Sequence, residues 1–386
     1  MKILLLAPHP FYQERGTPIA VDLLIRALSD LGHEVDVLTY HEGEDLKYSD
    51  RVAIKRIKKP PFAEGIRPGF SFKKLISDFY MFPEAKRMAR ENKYDMIHAV
   101  EESVFMARSI GRKLKIPYVF DMDSSMPEQI VEKFCWAKFM LPMMNGFEAR
   151  AVKSAEAVVP VCQALADKAE KHGAKRIFLL RDISLLGKSE GADVDIRAEL
   201  GIKGPMVLYI GNLEKYQGID LLIESFKIVH GENDSASLVI IGGKKNDVMK
   251  YMDKTMKLGL EDSVHLVGPR PVSHMKALLE SADVLVSPRT KGGNTPMKIY
   301  SYMDSGKALL ATSLETHTQV LDDSTAMLAK PEKEPFAKAM KQLLEDAELR
   351  NRLGSACKHA AEERHSPDAF RKTVKEIYAA LEGRSN

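Results

Sequence analysis

Two successive series of short apolar runs, each alternating with amphipathic segments, constrain this fold most strongly. The first series has runs at 2–7, 33–40, 95–100, 117–122 and 157–161, and the second at 206–211, 237–243, 264–268, 282–287 and 308–311. Nearly continuous apolar runs are typical of parallel strands that helices cover on both faces. At 386 residues the chain also exceeds what one hydrophobic core usually supports. The sequence therefore predicts an α/β fold with two Rossmann-like domains.

The periodicity is lost between 180 and 203, which indicates a domain boundary. We predict an N-terminal domain over 1–190, a C-terminal domain over 191–366 and a final helical segment over 367–386. In open parallel sheets, ligands bind beyond the carboxyl ends of the strands. Two such sheets facing each other would place a ligand site in an interdomain cleft.

The stretch from 287 to 312 predicts an anion pocket. A strand end leads into a glycine-rich loop, and Thr295 and Pro296 are typical of the N-cap and first position of a helix. Free N–H groups at Asn294 and Thr295, together with the helix dipole, would point at one spot, with Lys298 in the first turn. An ordinary capped turn needs the same residue types. The favoured interpretation is a phosphate site.

Several function classes lack their motifs. The three cysteines and eleven histidines show no metal-ligand spacing, and no GxSxG motif is present. The apolar run at the N-terminus is too short for a signal peptide, and no apolar run is long enough to span a membrane. We therefore expect a cytoplasmic protein without a disulfide framework.

Two segments fit contact with an anionic membrane. Lys and Arg outnumber Asp and Glu by twelve to four between 51 and 94, and residues 134–147 are rich in Met and aromatic side chains. Peripheral binding needs positive charge and apolar area together. A solvated basic surface and an ordinary core helix are the alternative interpretations. Peripheral contact with the inner face of the membrane is the resulting hypothesis.

The chain resembles the retaining GT-B glycosyltransferases of glycosyltransferase family 4. The C-terminal likeness is carried by YIGNLEKYQGIDLLIESF (209–226), SLVIIGG (237–243), VHLVGPRP (264–271) and TPMKIYSYMDSGKALLATS (295–313). MKILLLAPHPFYQERGTP, YDMIHAVEE and PYVFDMDSSMPE resemble the family's first glycine loop and acceptor-side strand ends. The resemblance implies a GT-B fold whose last helix crosses back to the N-terminal domain.

The resemblance also implies a reaction. A sugar would pass from a UDP- or GDP-linked donor to the hydroxyl of a sugar or lipid-linked acceptor, with retention and without metal or other cofactor, in cell-envelope glycan or glycolipid synthesis. Lys298 would stabilise the β-phosphate, Asp123 would act in catalysis, and Glu101 and Glu102 would face the acceptor. The implied donor-binding residues are Gly16, Thr17, Asn212, Lys215, Gln217, Gly243, Arg270, Asn294, Thr295 and Pro296.

The sequence departs from the family pattern at several positions. Asn212 and Gln217 stand where the family has Arg and Lys, Gly293 and Ser301 replace its paired glutamates, and Asp123 replaces its acceptor-side His. The loop and helix start at 294–298 should then hold most of the donor's charge. Two alternatives stay open, a nucleotide-sugar epimerase on the same fold and a nucleotide-sugar-binding protein without turnover.

Overall fold

The chain divides into two compact units. The computed structural model describes residues 1–13, 16–66, 71–186 and 194–382. Unit 1 comprises Met1–Arg181 and the segment from Phe370 onward, and unit 2 comprises Asp182–Ala369. The predicted boundary at 190 lies outside the described residues.

Unit 1 is built on a six-stranded parallel sheet. Its strands are β1 (Lys2–Ala7), β2 (Glu34–Thr39), β3 (Val52–Arg56), β4 (Met96–Val100), β5 (Tyr118–Met122) and β6 (Ala157–Pro160). They lie in the order β3-β2-β1-β4-β5-β6, and every neighbouring pair is parallel. The sequence did not predict β3. This edge strand is only partly buried and contains two basic residues, so it shows no apolar run.

Helices cover this sheet. They are α1 (Gly16–Asp30), α2 (Phe72–Glu91), α3 (Ser103–Leu114), α4 (Met126–Lys133), α5 (Leu141–Ser154) and α6 (Gln163–Lys171), with a 3₁₀ segment, Cys135–Met140, before α5. The sequence periodicity predicts a helix over 72–91, and α2 begins there, where the Ser71 hydroxyl accepts a hydrogen bond from the Lys74 N–H at 3.2 Å. Apolar residues of α2, α3, α5 and α6 share one core cluster, so these four helices pack on the same face of the sheet.

Unit 2 repeats the design. Its strands are β7 (Met206–Ile210), β8 (Ser237–Ile241), β9 (Val264–Gly268), β10 (Val284–Ser287), β11 (Ala308–Thr312) and β12 (Met327–Ala329). They form a second parallel sheet in the order β12-β11-β10-β7-β8-β9. The helices are α7 (Ile196–Leu200), α8 (Ile219–His230), α9 (Lys245–Leu258), α10 (Met275–Glu280), α11 (Lys298–Asp304), α12 (Glu315–Thr318), α13 (Lys333–Glu345) and α14 (Ala347–Arg364). The predicted α/β class with two Rossmann-like sheets is confirmed.

The last helix, α15 (Pro367–Glu382), contributes a buried contact to unit 1. The Tyr378 hydroxyl lies 2.8 Å from Nδ1 of His98 on β4, and Nε2 of His98 lies 3.1 Å from the Asp121 carboxylate on β5. This polar chain links α15 to the interior of the sheet. None of the helices in the described ranges combines the length and the hydropathy that a membrane span requires.

Candidate functional site

A pocket opens at the carboxyl ends of β7, β8 and β9. It has a volume of about 290 Å³, and its walls include Gly211, Asn212, Glu214, Gly242, Gly243 and Arg270. A Cβ on Gly242 would lie 2.1 Å from the Gly211 carbonyl oxygen. The glycines therefore let the backbones of the first two strand ends touch, which forms the pocket floor. Ligands of open parallel sheets bind at this edge.

Lys298 lies beside this pocket, because its Nζ would be 3.2 Å from a Cβ on Gly211. The half-buried ammonium donates to Oε1 of Gln217 at 3.3 Å and lies 3.8 Å from the centroid of the Tyr209 ring. Burial lowers the pKa of Lys298 well below its ordinary value, and the nearby Arg289 guanidinium lowers this pKa further. No carboxylate contributes to the shift among the described residues. The Lys298 ammonium is therefore available to pair with an anion from outside the protein.

Arg289 is a buried cation of the site that the sequence analysis missed. Its Nη1 donates to the Asn294 carbonyl oxygen at 2.9 Å and to the Thr316 hydroxyl at 3.1 Å. Its guanidinium carbon lies 5.1 Å from the centroid of the Tyr216 ring. Arg289 thus ties both ends of the 289–294 loop together. Thr316 and Tyr216 come from distant parts of the chain, so local sequence carried no signal for the role.

A neutral histidine lies under the same loop. The Nδ1 of His317 lies 2.9 Å from the Thr312 carbonyl oxygen, which only accepts, so Nδ1 carries the proton. The Nε2 then accepts from the Ser287 hydroxyl at 2.9 Å. Burial lowers the pKa of His317 to about 4, and the two cations Lys298 and Arg289 oppose its protonation. His317 is therefore a structural support that adds no charge.

The predicted helix start is wrong. The helix begins at Lys298, Met297 precedes it, and no side chain caps it. The Thr295 hydroxyl is buried without a hydrogen-bond partner in the described structure, while the Asn294 carbonyl is held by Arg289 and by the Thr316 hydroxyl at 2.6 Å. Because these tertiary contacts fix the loop, capping does not set the helix start. With only seven residues in α11, the site depends on the Lys298 side chain rather than on a helix dipole.

Two adjacent glycines of the loop provide a matched test of its packing. Gly292 has φ +119°, and a Cβ there would lie 2.6 Å from Nη2 of Arg289, whereas a Cβ on Gly293 meets nothing within 4 Å. We expect Gly292→Ala to lower the free energy of unfolding by about 1–3 kcal/mol. Gly293→Ala should change it by less than about 0.5 kcal/mol. Thermal and urea unfolding of both variants check this, and equal stability would contradict the described loop.

The other predicted donor-side residues of unit 2 differ in exposure. Gln217 is buried next to Lys298, whereas Asn212 and Lys215 are exposed. Gly243 has φ +82°, and a Cβ there would lie 2.5 Å from the Leu213 side chain. Of these residues, Gln217 is therefore the one whose side chain contacts Lys298.

Arg270 lines the pocket, but its guanidinium is engaged within the protein. It forms an ion pair with the Glu199 carboxylate on α7. Pro296 precedes α11, and its carbonyl oxygen accepts from the Ile299 N–H at 2.9 Å. Both residues therefore shape the site through contacts inside unit 2.

In unit 1, the predicted residues lie at strand ends and at one helix start. Gly16 and Thr17 open α1, and a Cβ on Gly16 would meet nothing within 4 Å. Asp123 follows β5 directly and is half-buried. Asp121, two residues earlier on β5, pairs with His98 inside the sheet. Asp121 therefore forms its contact within the sheet, whereas Asp123 lies beyond the end of the strand.

From the sequence, Glu101 and Glu102 could equally be solvated loop acids, and the structure shows that this interpretation is wrong. The Lys74 ammonium lies 2.5 Å from the Glu102 carboxylate and 3.5 Å from that of Glu101, and all three side chains are largely buried. Burial raises the pKa of Glu102 to about 8. Burial also raises the pKa of Asp78 to about 6, although this carboxylate accepts from the Tyr40 hydroxyl at 2.6 Å. The acids form one cluster at the end of β4.

Comparisons with known proteins cover both units. The family model described as "Glycosyl transferases group 1" matches residues 194–360, and the model "Glycosyltransferase Family 4" matches residues 15–180. The chain is 25% identical over 366 residues to the D-inositol 3-phosphate glycosyltransferase of Corynebacterium aurimucosum, covering 86% of this chain and 83% of that protein. It is 24% identical over 396 residues to the sulfoquinovosyl transferase SQD2 of Arabidopsis thaliana, covering 98% and 73%.

Solved structures share the fold. HepE of Anabaena, in complex with UDP and glucose, superposes with a TM-score of 0.77 at 16% identity, covering 98% of this chain and 100% of that chain. Sucrose-phosphate synthase from Thermosynechococcus elongatus gives a TM-score of 0.76 at 19% identity, with both chains fully covered. Both neighbours are GT-B glycosyltransferases.

Proposed function

Since the chain belongs to glycosyltransferase family 4 and is a glycosyltransferase of the GT-B type, we propose that it transfers a hexose from a UDP-linked donor to an acceptor hydroxyl with retention. Structures of HepE contain UDP or UDP-glucose, which supports a UDP-linked donor here. We further propose that the acceptor is a sugar or a lipid-linked sugar of the cell envelope, used at the inner face of the membrane.

The uncompensated charge of Lys298 carries this proposal. Departure of a nucleoside diphosphate builds negative charge on the β-phosphate, and a fixed cation stabilises that charge most where water is scarce. The ammonium of Lys298 faces only the Gln217 amide oxygen and the Tyr209 ring, and it adjoins the pocket at Gly211. In the proposal the nucleoside occupies the pocket and the diphosphate lies over Lys298. Arg289 adds charge from beneath the loop.

The remaining steps follow from the chain's own residues. Lys298 and Arg289 supply the charge that a cation would otherwise bring, so the proposed reaction needs no metal or other cofactor. Retention fits a departing phosphate oxygen that takes the proton of the acceptor hydroxyl on the same face. Asp123 would orient the acceptor by hydrogen bonding. Lys74 would hold the carboxylates of Glu101 and Glu102 in place on the acceptor side.

UDP affinity should fall as the pH rises through the lowered pKa of Lys298. Only the protonated ammonium attracts the diphosphate, and bound UDP in turn favours protonation, so binding takes up protons in this range. The window lies below the ordinary lysine pKa of about 10.4. In Lys298→Arg the charge persists, so this decrease should be absent. Calorimetric titration in buffers of different ionisation enthalpy measures both effects, and pH-independent affinity in the wild type would contradict the assignment.

A thermal-shift screen with UDP, GDP and ADP and their sugars tests the proposed donor. A ligand that binds only the folded protein raises Tm. At one hundred times its Kd it adds about 2.7 kcal/mol to the free energy of unfolding. We expect UDP and a UDP-hexose to give the largest shifts. A GDP-selective shift would revise the base, and no shift with any nucleotide would remove the proposed function.

A further inference from the structure

Exposed aromatic side chains are concentrated in unit 1. Among the described residues, five aromatic side chains are more than two thirds exposed: Phe62 (91%), Phe72 (75%), Phe79 (78%), Trp136 (68%) and Phe139 (76%). All five belong to unit 1. Large exposed apolar patches on soluble proteins mark surfaces that bind a partner. The site described above uses none of these residues.

The first half of α2 exposes an apolar stripe. Phe72, Leu75 and Phe79 are spaced by three and four residues, so they share one helical face, and all three are exposed. In the second half of the helix the exposed residues include Arg87 and Arg90. The outer surface of α2 thus changes from aromatic to charged along its length, with Arg87 paired to Glu84 and Glu91.

A second stripe precedes and enters α5. Trp136, Phe139, Met143 and Phe147 follow the same spacing and are 50–76% exposed, so the interpretation of residues 134–147 as an ordinary core helix is wrong. Arg150 lies 5.5 Å from the centroid of the Phe147 ring. Basic and aromatic groups are thus interleaved here too.

The two stripes lie along the same rim of unit 1. The α2 and α5 helices pack on one face of the sheet, and α3 packs against both of them. Each helix runs from the carboxyl ends of the strands toward their amino ends, because the connection between two parallel strands must return the chain to the start of the next strand. The first half of α2, and the 3₁₀ segment with the first half of α5, carry the stripes and therefore lie near the edge where Glu101, Glu102 and Asp123 follow β4 and β5.

Part of the basic run is neutralised by ion pairs within unit 1, most of them at its surface. Arg56 pairs with Asp45, Lys59 with Glu64, Arg87 with Glu84 and Glu91, and Lys74 with Glu101 and Glu102. These pairs lower the net positive charge that the 51–94 run presents, and a solvated basic surface stays an alternative interpretation. From 72 to 80, a stretch that the structure describes throughout, the exposed residues are four apolar or aromatic side chains and Lys73. Around the second stripe Lys138 is exposed between Trp136 and Phe139.

We propose that these two stripes, Phe72–Leu75–Phe79 and Trp136–Phe139–Met143–Phe147, form one face that docks on an anionic lipid bilayer. The inference rests on the proposed function, because it makes the acceptor a hydroxyl presented at the lipid surface. Phe and Trp on one side of a helix with Lys and Arg at its flanks are the pattern of segments that lie in the membrane interface. The basic residues beside the stripes are Lys73, Lys138 and Arg150. These basic flanks favour anionic headgroups over neutral ones.

The chain provides its own reporter for this contact. Trp136 is the only tryptophan, so its fluorescence reports on the second stripe alone. Vesicles of equal parts phosphatidylglycerol and phosphatidylcholine should shift its emission to the blue, and lipids brominated on the acyl chains should quench it. Raised salt should weaken binding, because the basic flanks act through screened charge. Vesicles of phosphatidylcholine alone should bind more weakly.

Paired substitutions test whether the two stripes act together. Phe72→Ser with Phe79→Ser leaves Trp136 in place and should reduce vesicle affinity roughly tenfold, with loss of the blue shift. The matched control is Met249→Ser with Met252→Ser on α9 of unit 2, two residues that are 54% and 47% exposed. The control should bind vesicles as the wild type does.

The outcomes separate this inference from the proposed function. UDP binding should be unchanged in both double variants. If the wild type binds UDP but shows neither co-sedimentation nor a Trp136 shift with anionic vesicles, the docking face is refuted and the proposed function stands. Concentration-dependent dimers that the Phe72/Phe79 variant abolishes, in analytical ultracentrifugation without lipid, would assign the face to a second copy of the chain instead. If the wild type does not bind UDP, the proposed function is refuted.

Discussion

Lys298→Ala is expected to lower kcat/KM for the donor by about 10²- to 10³-fold, or about 3 to 4 kcal/mol, the effect of removing one preorganised group that stabilises transition-state charge. The residue opposes the developing phosphate charge from a half-buried position where water screens little. UDP release from the donor measures the rate. Because the ammonium has no carboxylate partner in the described part of unit 2, its removal leaves no buried charge uncompensated.

Two controls accompany this variant. Lys298→Arg keeps the charge and should retain a large part of the activity. Lys215→Ala removes an exposed lysine of the loop after β7, and it should stay within a few-fold of the wild type if Lys298 provides the main contact. A Lys298→Ala enzyme with unchanged kcat/KM would remove the phosphate assignment. An equal decrease of kcat/KM in Lys215→Ala would indicate that both lysines contact the phosphate.

Arg289→Met is expected to weaken UDP binding roughly tenfold, the equivalent of about 1.4 kcal/mol. The substitution removes one charge near Lys298 and releases the Asn294 carbonyl and the Thr316 hydroxyl, which share its Nη1. The loss of these two charge-assisted hydrogen bonds should also lower the free energy of unfolding by about 2–4 kcal/mol, although the Thr316 hydroxyl still donates to the Asn294 carbonyl oxygen. Calorimetric titration with UDP and thermal unfolding measure the two effects.

Arg289→Lys separates charge from geometry. A lysine keeps the charge but lacks the planar fork, and it cannot stack on Tyr216 as a guanidinium does. We expect its stability to resemble that of Arg289→Met, with UDP affinity between that variant and the wild type. Wild-type UDP affinity in both variants would contradict a role for Arg289 at the donor site, even if both variants were less stable.

Much of the fold was predictable, because buried parallel strands appear in the sequence as apolar runs and helices appear as apolar residues at helical spacing. The predicted bounds of α2, 72–91, agree with the structure. The edge strand β3 was missed because partial burial allows charged residues in it. The start of α11 was misplaced because Arg289 and Thr316, rather than a local cap, fix the preceding loop.

The candidate site was less predictable, because its electrostatics depend on burial and on distant partners. The sequence places Glu101 and Glu102 after a strand, but it does not show that Lys74, from another helix, lies between them. Arg289 stands next to the loop that was singled out, yet its role depends on Thr316 and Tyr216. The exposure of Trp136 and Phe79 could not be distinguished from core packing by spacing alone.

The most direct test of the central claim is the product formed from a UDP-hexose. The wild type is incubated with the donor that stabilises it most and with sugar and lipid acceptors, and UDP and the new linkage are followed by NMR. We predict release of one UDP per transferred sugar, a product with the anomeric configuration of the donor, and loss of both signals in Lys298→Ala. UDP binding without release, or a sugar isomerised in the absence of acceptor, would contradict the account.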